Sequence, residues 1–183
     1  MQPTSYQRKN KLSIKEMCVF SMLGAIMFLS KLVMEFLPNI HLVGTLIAVC
    51  TLVYRKKALV PIYIYVLLVG VYGGFNWWWM PYIYIWAILF LMIMLIPRDV
   101  SREKIIIAVP ILTALHGLLY GTLYSPCQAI MFDLNFEQTI AWIIAGMPFD
   151  ITHAIGNFVL GFLVYPLTKL ITKLSIQIGI LEK

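Results

Sequence analysis

The chain alternates long apolar runs with short polar or basic interruptions. The apolar runs cover about 15–37, 42–54, 58–72, 80–96, 104–124 and a last stretch that ends near residue 173. The first run ends at Pro38, because proline and the residue before it disfavour continuation of a helix. A helix needs roughly 20 apolar residues to cross a bilayer. The pattern therefore predicts an all-α membrane protein with six transmembrane helices.

The last third of the chain is less regular. The segment SPCQAIMFDLNFEQ is predicted to end the fifth helix, and the apolar stretch TIAWIIAG follows it. We expect the final helix to begin near Pro148, because proline suits a first helical turn, where its missing N–H is not needed. That start would place Asp150 beside the positive end of the helix dipole, which favours a carboxylate.

Composition supports the bilayer as the solvent of this chain. Of its 183 residues, 61% are hydrophobic and only 12% are charged, which is too apolar for a soluble domain of this size. We expect one integral-membrane domain over 1–183, with 1–14 as a cytoplasmic N-terminal segment and no removed signal peptide. Cys18, Cys50 and Cys127 lie far apart in apolar stretches, which is typical of small core residues rather than of disulfides or metal ligands.

The basic residues define a predicted orientation. They lie between the apolar runs rather than in a stripe, so the net charge of +6 indicates a membrane protein and not a nucleic-acid-binding one. Loops rich in lysine and arginine stay in the cytoplasm. In the six-helix arrangement thirteen of the fourteen basic residues fall on one side, which predicts that both termini are cytoplasmic. The exception is Lys31, four residues before Glu35; these two residues could pair with each other or contact a ligand.

Polar side chains at membrane depth need a partner, a cavity or a function. Asp150, His153 and Asn157 are spaced by three and four residues, so they share one helical face. His116 and Tyr120 form a second such pair on the fifth predicted helix, together with Thr113. These side chains could line a binding site, or they could simply join helices by hydrogen bonds.

An aromatic segment lies at the predicted outer boundary. Trp77, Trp78 and Trp79 follow two glycines, and Tyr82 and Trp86 come one and two turns later. Tryptophan and tyrosine commonly anchor helices at the membrane interface. Three consecutive indoles on one element cannot all face lipid, however, and flat aromatic walls with a few polar groups suit a heterocyclic ligand. We interpret the segment as part of a binding pocket, with interfacial anchoring as the alternative.

Several of these segments together resemble a known family. The helix FSMLGA, the turn FLPNIHL, the loop GGFNWWWMPYIYIW and the stretch GMPFDITHAIGNFVLGFLVYPL are similar to the substrate-binding S components of energy-coupling factor (ECF) vitamin transporters. The resemblance covers nearly the whole chain. It implies a six-helix, non-enzymatic protein of a prokaryotic cell membrane that takes up a vitamin or vitamin-like compound from outside.

The resemblance also implies partners. Ser21 and Ala25 match the small-xxx-small contact of that family with a transmembrane coupling subunit, although alanine is replaced by serine at the first position. The chain has no Walker motif, so ATP would be hydrolysed only by two partner ATPases, and no cofactor is expected on this chain. The substrate could be a pyrimidine- or pyridine-type vitamin or a corrinoid.

The expected ligand-binding residues combine the aromatic segment with the two polar faces. They are Trp77, Trp78, Trp79, Tyr82, Trp86, His116, Tyr120, Asp150, His153 and Asn157. Two other functions are open. One is an intramembrane enzyme, protease-like or transferase-like, that uses His116 and His153, although Asp150 is the only further ionisable group that could join them. The other is a non-catalytic scaffold, which would leave the tryptophans and the polar face unexplained.

Overall fold

A computed structural model describes residues 12–182, and every regular element within that range is helical. There are eight α-helices in this part of the chain. They are α1 (Ile14–Val33), α2 (Val43–Tyr54), α3 (Leu59–Gly73), α4 (Tyr82–Met94), α5 (Arg102–Leu118), α6 (Tyr120–Phe132), α7 (Phe136–Gly161) and α8 (Val164–Gln177). Two short 3-10 turns, Arg55–Ala58 and Trp77–Trp79, precede α3 and α4.

Within residues 12–182, four helical segments are long and apolar enough to cross a membrane. They are α1, the Trp77–Met94 segment, the continuous Arg102–Phe132 segment that joins α5 and α6, and α7. The predicted all-α membrane class is therefore confirmed. The helices α2 and α3 have only 12 and 15 residues, so neither has the length of an ordinary span. The six-span count and the sidedness stay predictions.

The first four helices lie close to their predicted positions. α1 begins with a capping box, in which Ser13 and Glu16 each accept a hydrogen bond from the other's backbone N–H. It ends at Val33 rather than near Leu37, because residues 34–37 form a turn that leads into Pro38. α2, α3 and α4 begin and end within about two residues of the apolar runs that predicted them.

The predicted boundaries in the last third are wrong. The segment after Tyr124 stays helical to Phe132, with Pro126 inside α6, and the next helix begins at Phe136 rather than near Pro148. Asn135 caps it through a capping box with Gln138, so the stronger start signal lies thirteen residues before the proline. Pro148 lies inside α7, where it removes only one backbone hydrogen bond, as is tolerated in transmembrane helices.

α5 and α6 pack antiparallel against α7. Thr113 donates its hydroxyl to the Asn157 carbonyl at 3.1 Å, and the Asn157 amide donates to the Thr113 carbonyl at 3.2 Å. Gly117 and Gly161 lie at the crossing, where a Cβ on Gly161 would come within 2.7 Å of the Pro110 Cα. Small residues thus permit the close approach that membrane helices use for association.

One end of the molecule collects basic residues through direct contacts. Lys57 forms an ion pair with Glu16 at 2.5 Å, which joins the Arg55–Ala58 turn to the start of α1. Arg55 donates to the carbonyls of Met94 and Ile96 at 3.0 and 2.9 Å, and Lys15 donates to the Ile178 carbonyl at 2.9 Å. The start of α1 and the ends of α2, α4 and α8 therefore meet at this basic end. Of the predicted cytoplasmic residues, Arg8, Lys9, Lys11 and Lys183 lie outside the described range.

Candidate functional site

A cavity of about 300 Å³ lies at the end of α1 that is opposite the basic end. Its mouth is formed by the last turn of α1 and the following residues, with Lys31, Glu35 and Asn39 as the polar groups. The Trp77–Trp79 turn, the beginnings of α4 and α6, and α7 supply the remaining walls. A volume of this size is at the lower end of the range for small-molecule sites.

Half of the twelve residues that line the cavity carry an aromatic or imidazole ring. Trp78, Tyr82, Tyr120 and Tyr124 line it together with the imidazoles of His41 and His153. The ring of His153 lies 5.0 Å from that of Tyr120 and 5.2 Å from that of His41, centroid to centroid, both in edge-on geometry. Such flat walls with polar edges can hold an aromatic ring and also hydrogen-bond to it.

Trp86 is the centre of the aromatic cluster around the cavity. It is only 1% exposed, and five aromatic rings surround it with centroids 5.7 to 6.1 Å away. These rings are His41, Tyr65, Tyr82, His116 and Tyr120. With His153, which contacts His41 and Tyr120, the cluster contains all three histidines of the chain, from three separate segments.

The cluster also concentrates buried polar atoms that have no hydrogen-bond partner. Across residues 12–182 seven side-chain nitrogens or oxygens are of this kind, and five belong to the cluster. They are His41 Nδ1, Tyr65 Oη, Trp86 Nε1, His116 Nδ1 and His153 Nε2. An unpaired buried polar group costs about 1–3 kcal/mol, so five in one place favour a site for a hydrogen-bonding solute or for ordered water.

The three histidines do not form a metal-binding group. Within the described part of the chain no set of three or more histidine, cysteine, aspartate or glutamate side chains is arranged to hold a metal ion. The rings of Trp86 and Tyr120 separate His116 from the other two imidazoles, and His116 Nε2 lies 3.0 Å from the Ile85 carbonyl. The cluster is therefore best described as a set of aromatic hydrogen-bonding groups.

Four of the ten predicted ligand-binding residues line the cavity at the end of α1, and two lie directly behind it. Trp78, Tyr82, Tyr120 and His153 line it, whereas Trp86 and His116 are buried in the cluster. The structure thus brings together the tryptophan segment, the fifth predicted helix and the polar face of α7, as the sequence suggested.

Two of the three consecutive tryptophans do not reach the cavity. Trp79 donates its indole N–H to the Val66 carbonyl at 2.8 Å and packs edge-on against Phe75, while Trp77 is 56% exposed. Tyr124 donates its hydroxyl to the Trp78 carbonyl at 2.7 Å, which ties the tryptophan turn to α6. Trp77 is therefore a surface residue and Trp79 a packing residue, and interfacial anchoring of the segment stays a prediction.

Asp150 and Asn157 lie on the predicted face of α7 and are buried, but neither lines the cavity at the end of α1. Both carboxylate oxygens of Asp150 accept from the Gly121 N–H, at 3.0 and 3.1 Å. The helix N-terminus beside Asp150 is thus that of α6 and not that of its own helix, which corrects the prediction. Asp150 lines an adjoining cavity of about 310 Å³ instead, and Asn157 joins α7 to α5.

Several residues of the site were not identified from the sequence. His41, Asn39 and Tyr124 line the cavity, and Tyr65 contributes an unpaired hydroxyl beside it. His41 lies in the turn FLPNIHL just before α2, and its polar ring between two apolar segments is the feature of the sequence that indicates it.

Burial lowers the pKa of His41 to about 4, so this imidazole is neutral at physiological pH.

Lys31 and Glu35 do not form the ion pair that their spacing allowed. Among residues 12–182 the only ion pair is that between Lys57 and Glu16. Both Lys31 and Glu35 instead line the mouth of the cavity. The alternative of a ligand contact is therefore the one that their position favours.

The predicted docking residues lie on the side of α1 that faces away from α3. Ser21 is exposed and Ala25 is half-buried, whereas Gly24 between them faces inward against Ile64 of α3. Cys18 is also exposed on this helix, so only Cys50 of the three cysteines is a fully buried core residue. The Ser21 side of α1 is open to lipid or to another helix.

Comparison with known proteins adds no relative. No protein-family model, curated protein or solved structure matches the chain.

Proposed function

We propose that this chain is the membrane-embedded solute-binding subunit of an ECF-type importer, and that it captures a small heteroaromatic, vitamin-like compound from outside the cell. The observation that carries the proposal is the aromatic cavity of about 300 Å³ beside a cluster with five unpaired buried polar atoms, two of them on the lining residues His41 and His153. Each such atom costs free energy unless a solute or an ordered water pairs with it.

The size of the cavity narrows the class of solute. Ligand sites usually measure about 300–1,000 Å³ and enclose most of a drug-sized molecule. At about 300 Å³ the cavity suits a compound with one or two rings, such as a pyrimidine or pyridine derivative. A corrinoid is several times larger, so this class is disfavoured.

Six membrane crossings are consistent with the element order. The crossings would be α1, α2, α3, α4, α5 with α6, and α7 with α8, and both termini would lie in the cytoplasm of a prokaryotic cell. The basic end would then face the cytoplasm, in accordance with the distribution of lysine and arginine. The cavity at the opposite end would open to the outside.

Energy would come from partner proteins. A coupling subunit would pack on the Ser21 and Ala25 side of α1, and two ATPases would hydrolyse ATP. Since a ligand shifts only those states that it binds differentially, uptake requires that the partners change the affinity or access of the cavity. The proposed subunit is neither an enzyme nor a nucleic-acid-binding protein.

Native mass spectrometry of protein purified in mild detergent tests the proposal. The wild type should carry a heteroaromatic compound, and Tyr82→Ala should reduce its occupancy about tenfold, because Tyr82 lines the cavity. Tyr72→Ala is the matched control, since this tyrosine is 68% exposed. Wild-type protein without any bound small molecule, or equal occupancy in Tyr82→Ala, would contradict the proposed function.

A further inference from the structure

Of the fourteen basic residues of the chain, Lys31 is the one that the predicted orientation places on the outer side of the membrane. It lies in the last turn of α1, half-buried, at the mouth of the cavity. A lysine on the outer side of a membrane protein is not explained by topology. Its position at the cavity makes a role in binding the natural explanation.

The positive charge of Lys31 is not neutralised by its neighbours. Glu35, four residues later, is exposed and makes no ion pair with it, and the one ion pair among residues 12–182 lies at the other end of α1. A half-buried ammonium interacts more strongly with an opposite charge than a fully hydrated one does. An anion bound in the cavity could therefore gain substantially from Lys31.

The charge of Lys31 reaches side chains inside the cavity. Burial is the main cause of the low pKa of His41, but the Lys31 charge lowers that pKa further. A second carboxylate, that of Asp150, lines the adjoining cavity and accepts from the Gly121 N–H, at the positive end of α6.

We propose that the bound compound carries an anionic group, a carboxylate or a phosphate ester, that pairs with the Lys31 ammonium while its ring lies against Tyr82 and Tyr120. This inference rests on the proposed solute-binding function. The imidazoles of His41 and His153, which line the same cavity, then supply hydrogen bonds to the ring. Lys31 would thus select the charge of the solute, and the aromatic walls would select its shape.

The principal alternative partner for Lys31 is the phosphate of a lipid headgroup. Lysines near helix ends often extend to the membrane interface. Both anions share the same chemistry, so the experiment must separate a solute from a lipid. The position of Lys31 beside Tyr82 and His41 in one cavity favours the solute.

The test compares wild type with Lys31→Met and with the matched control Lys56→Met, which removes an exposed lysine at the basic end. The proteins are purified under the same conditions. Compounds released by denaturation are identified by mass spectrometry, and bound phospholipid is quantified in the same samples. The wild type should release an anionic heteroaromatic compound, whose occupancy falls about tenfold in Lys31→Met and is unchanged in Lys56→Met.

A second measurement examines the preference for charge directly. Wild-type protein should prefer the released compound over its uncharged amide or its dephosphorylated form, and Lys31→Met should lose that preference. A neutral or cationic compound, or full occupancy in Lys31→Met with loss of phospholipid only, would overturn the inference and leave the proposed function intact. Absence of any compound in wild type would instead contradict the proposed function itself.

Discussion

At the scale of single residues, the polar groups of α7 divide into two roles. His153 lines the cavity and has a buried nitrogen without a partner, whereas Asp150 and Asn157 already have partners on α6 and α5. α5 ends at Leu118 and α6 begins at Tyr120, so the first N–H groups of α6 need an acceptor that its own helix cannot supply. Asp150 meets this need from 29 residues away. Helix junctions inside a membrane therefore depend on side chains from neighbouring helices.

Asp150→Ala should destabilise the protein, because it leaves the Gly121 N–H without its acceptor. The expected loss is about 1–3 kcal/mol, as for an orphaned buried donor. Asp150→Asn keeps one acceptor oxygen and should cost less. Thermal unfolding in detergent, followed by size-exclusion chromatography, measures both. A melting temperature of Asp150→Ala equal to that of the wild type would show that this bond is unimportant.

The common face of Asp150, His153 and Asn157 could be predicted from the sequence, since it follows from helical spacing alone. The partner of each residue could not be predicted, because Gly121 and Thr113 are 29 and 44 positions away. Which polar group remains unpaired, and hence available to a ligand, depends on those distant contacts. This is why Asn157 was expected in the cavity and instead joins two helices.

Trp78→Ala and Asn157→Leu should separate binding from stability. Trp78 lines the cavity, so its loss should weaken binding about tenfold, equivalent to about 1.4 kcal/mol, with little change in melting temperature. Asn157→Leu should lower the melting temperature and leave affinity within about threefold of wild type. Tryptophan fluorescence titration with the compound identified from the wild type measures affinity. The opposite pattern would place Asn157 in the site and Trp78 outside it.

At the scale of helices, α1 has two distinct faces. Gly24 is buried against α3, where an added Cβ would lie 2.6 Å from the Ile64 Cγ2 and 2.9 Å from the Pro61 carbonyl oxygen. Ser21, three residues earlier, is exposed. The small residues of this helix therefore serve two different contacts, one within the chain and one available to a partner.

Gly24→Val and Ser21→Trp should accordingly fail in different ways. Gly24→Val forces α1 away from a backbone oxygen and should lower the yield and melting temperature of folded protein. Ser21→Trp should leave folding and solute binding intact but prevent assembly with the coupling subunit. Pull-down of the coupling subunit, together with melting curves, distinguishes the two. Normal assembly of Ser21→Trp would exclude this face as the docking surface.

Helix boundaries are predictable where the local signals agree. The apolar runs predict α2, α3 and α4 because strong breaks flank them, including the basic turn after Tyr54. Around residue 148 the proline predicts a helix start, whereas Asn135 and Gln138 in the sequence NFEQ form the complete capping box that begins α7. The capping box satisfies two N–H groups at the true start, whereas a proline inside an apolar helix removes only one bond.

At the scale of the whole molecule, the basic end and the cavity lie at opposite ends of α1. The contacts of Lys15, Arg55 and Lys57 bring the start of α1 together with the ends of α2, α4 and α8. The cavity lies at the other end of α1, bordered by the turn after that helix. If the basic end is cytoplasmic, the cavity opens to the outside. Solute would then bind from outside, and the partner ATPases would act at the cytoplasmic end.

Single-cysteine labelling in intact cells tests that orientation. After replacement of Cys18, Cys50 and Cys127 by alanine, cysteines are introduced at Lys56 and Arg98 of the basic end and at Asn76 and Asp133 of the other predicted loops. All four positions are exposed, so a lack of labelling reports sidedness rather than burial. A membrane-impermeant maleimide should label Asn76→Cys and Asp133→Cys but reach Lys56→Cys and Arg98→Cys only after permeabilisation, since basic loops stay in the cytoplasm. If Lys56→Cys and Arg98→Cys label from outside, the cavity opens to the cytoplasm, and uptake of an external solute through it is excluded.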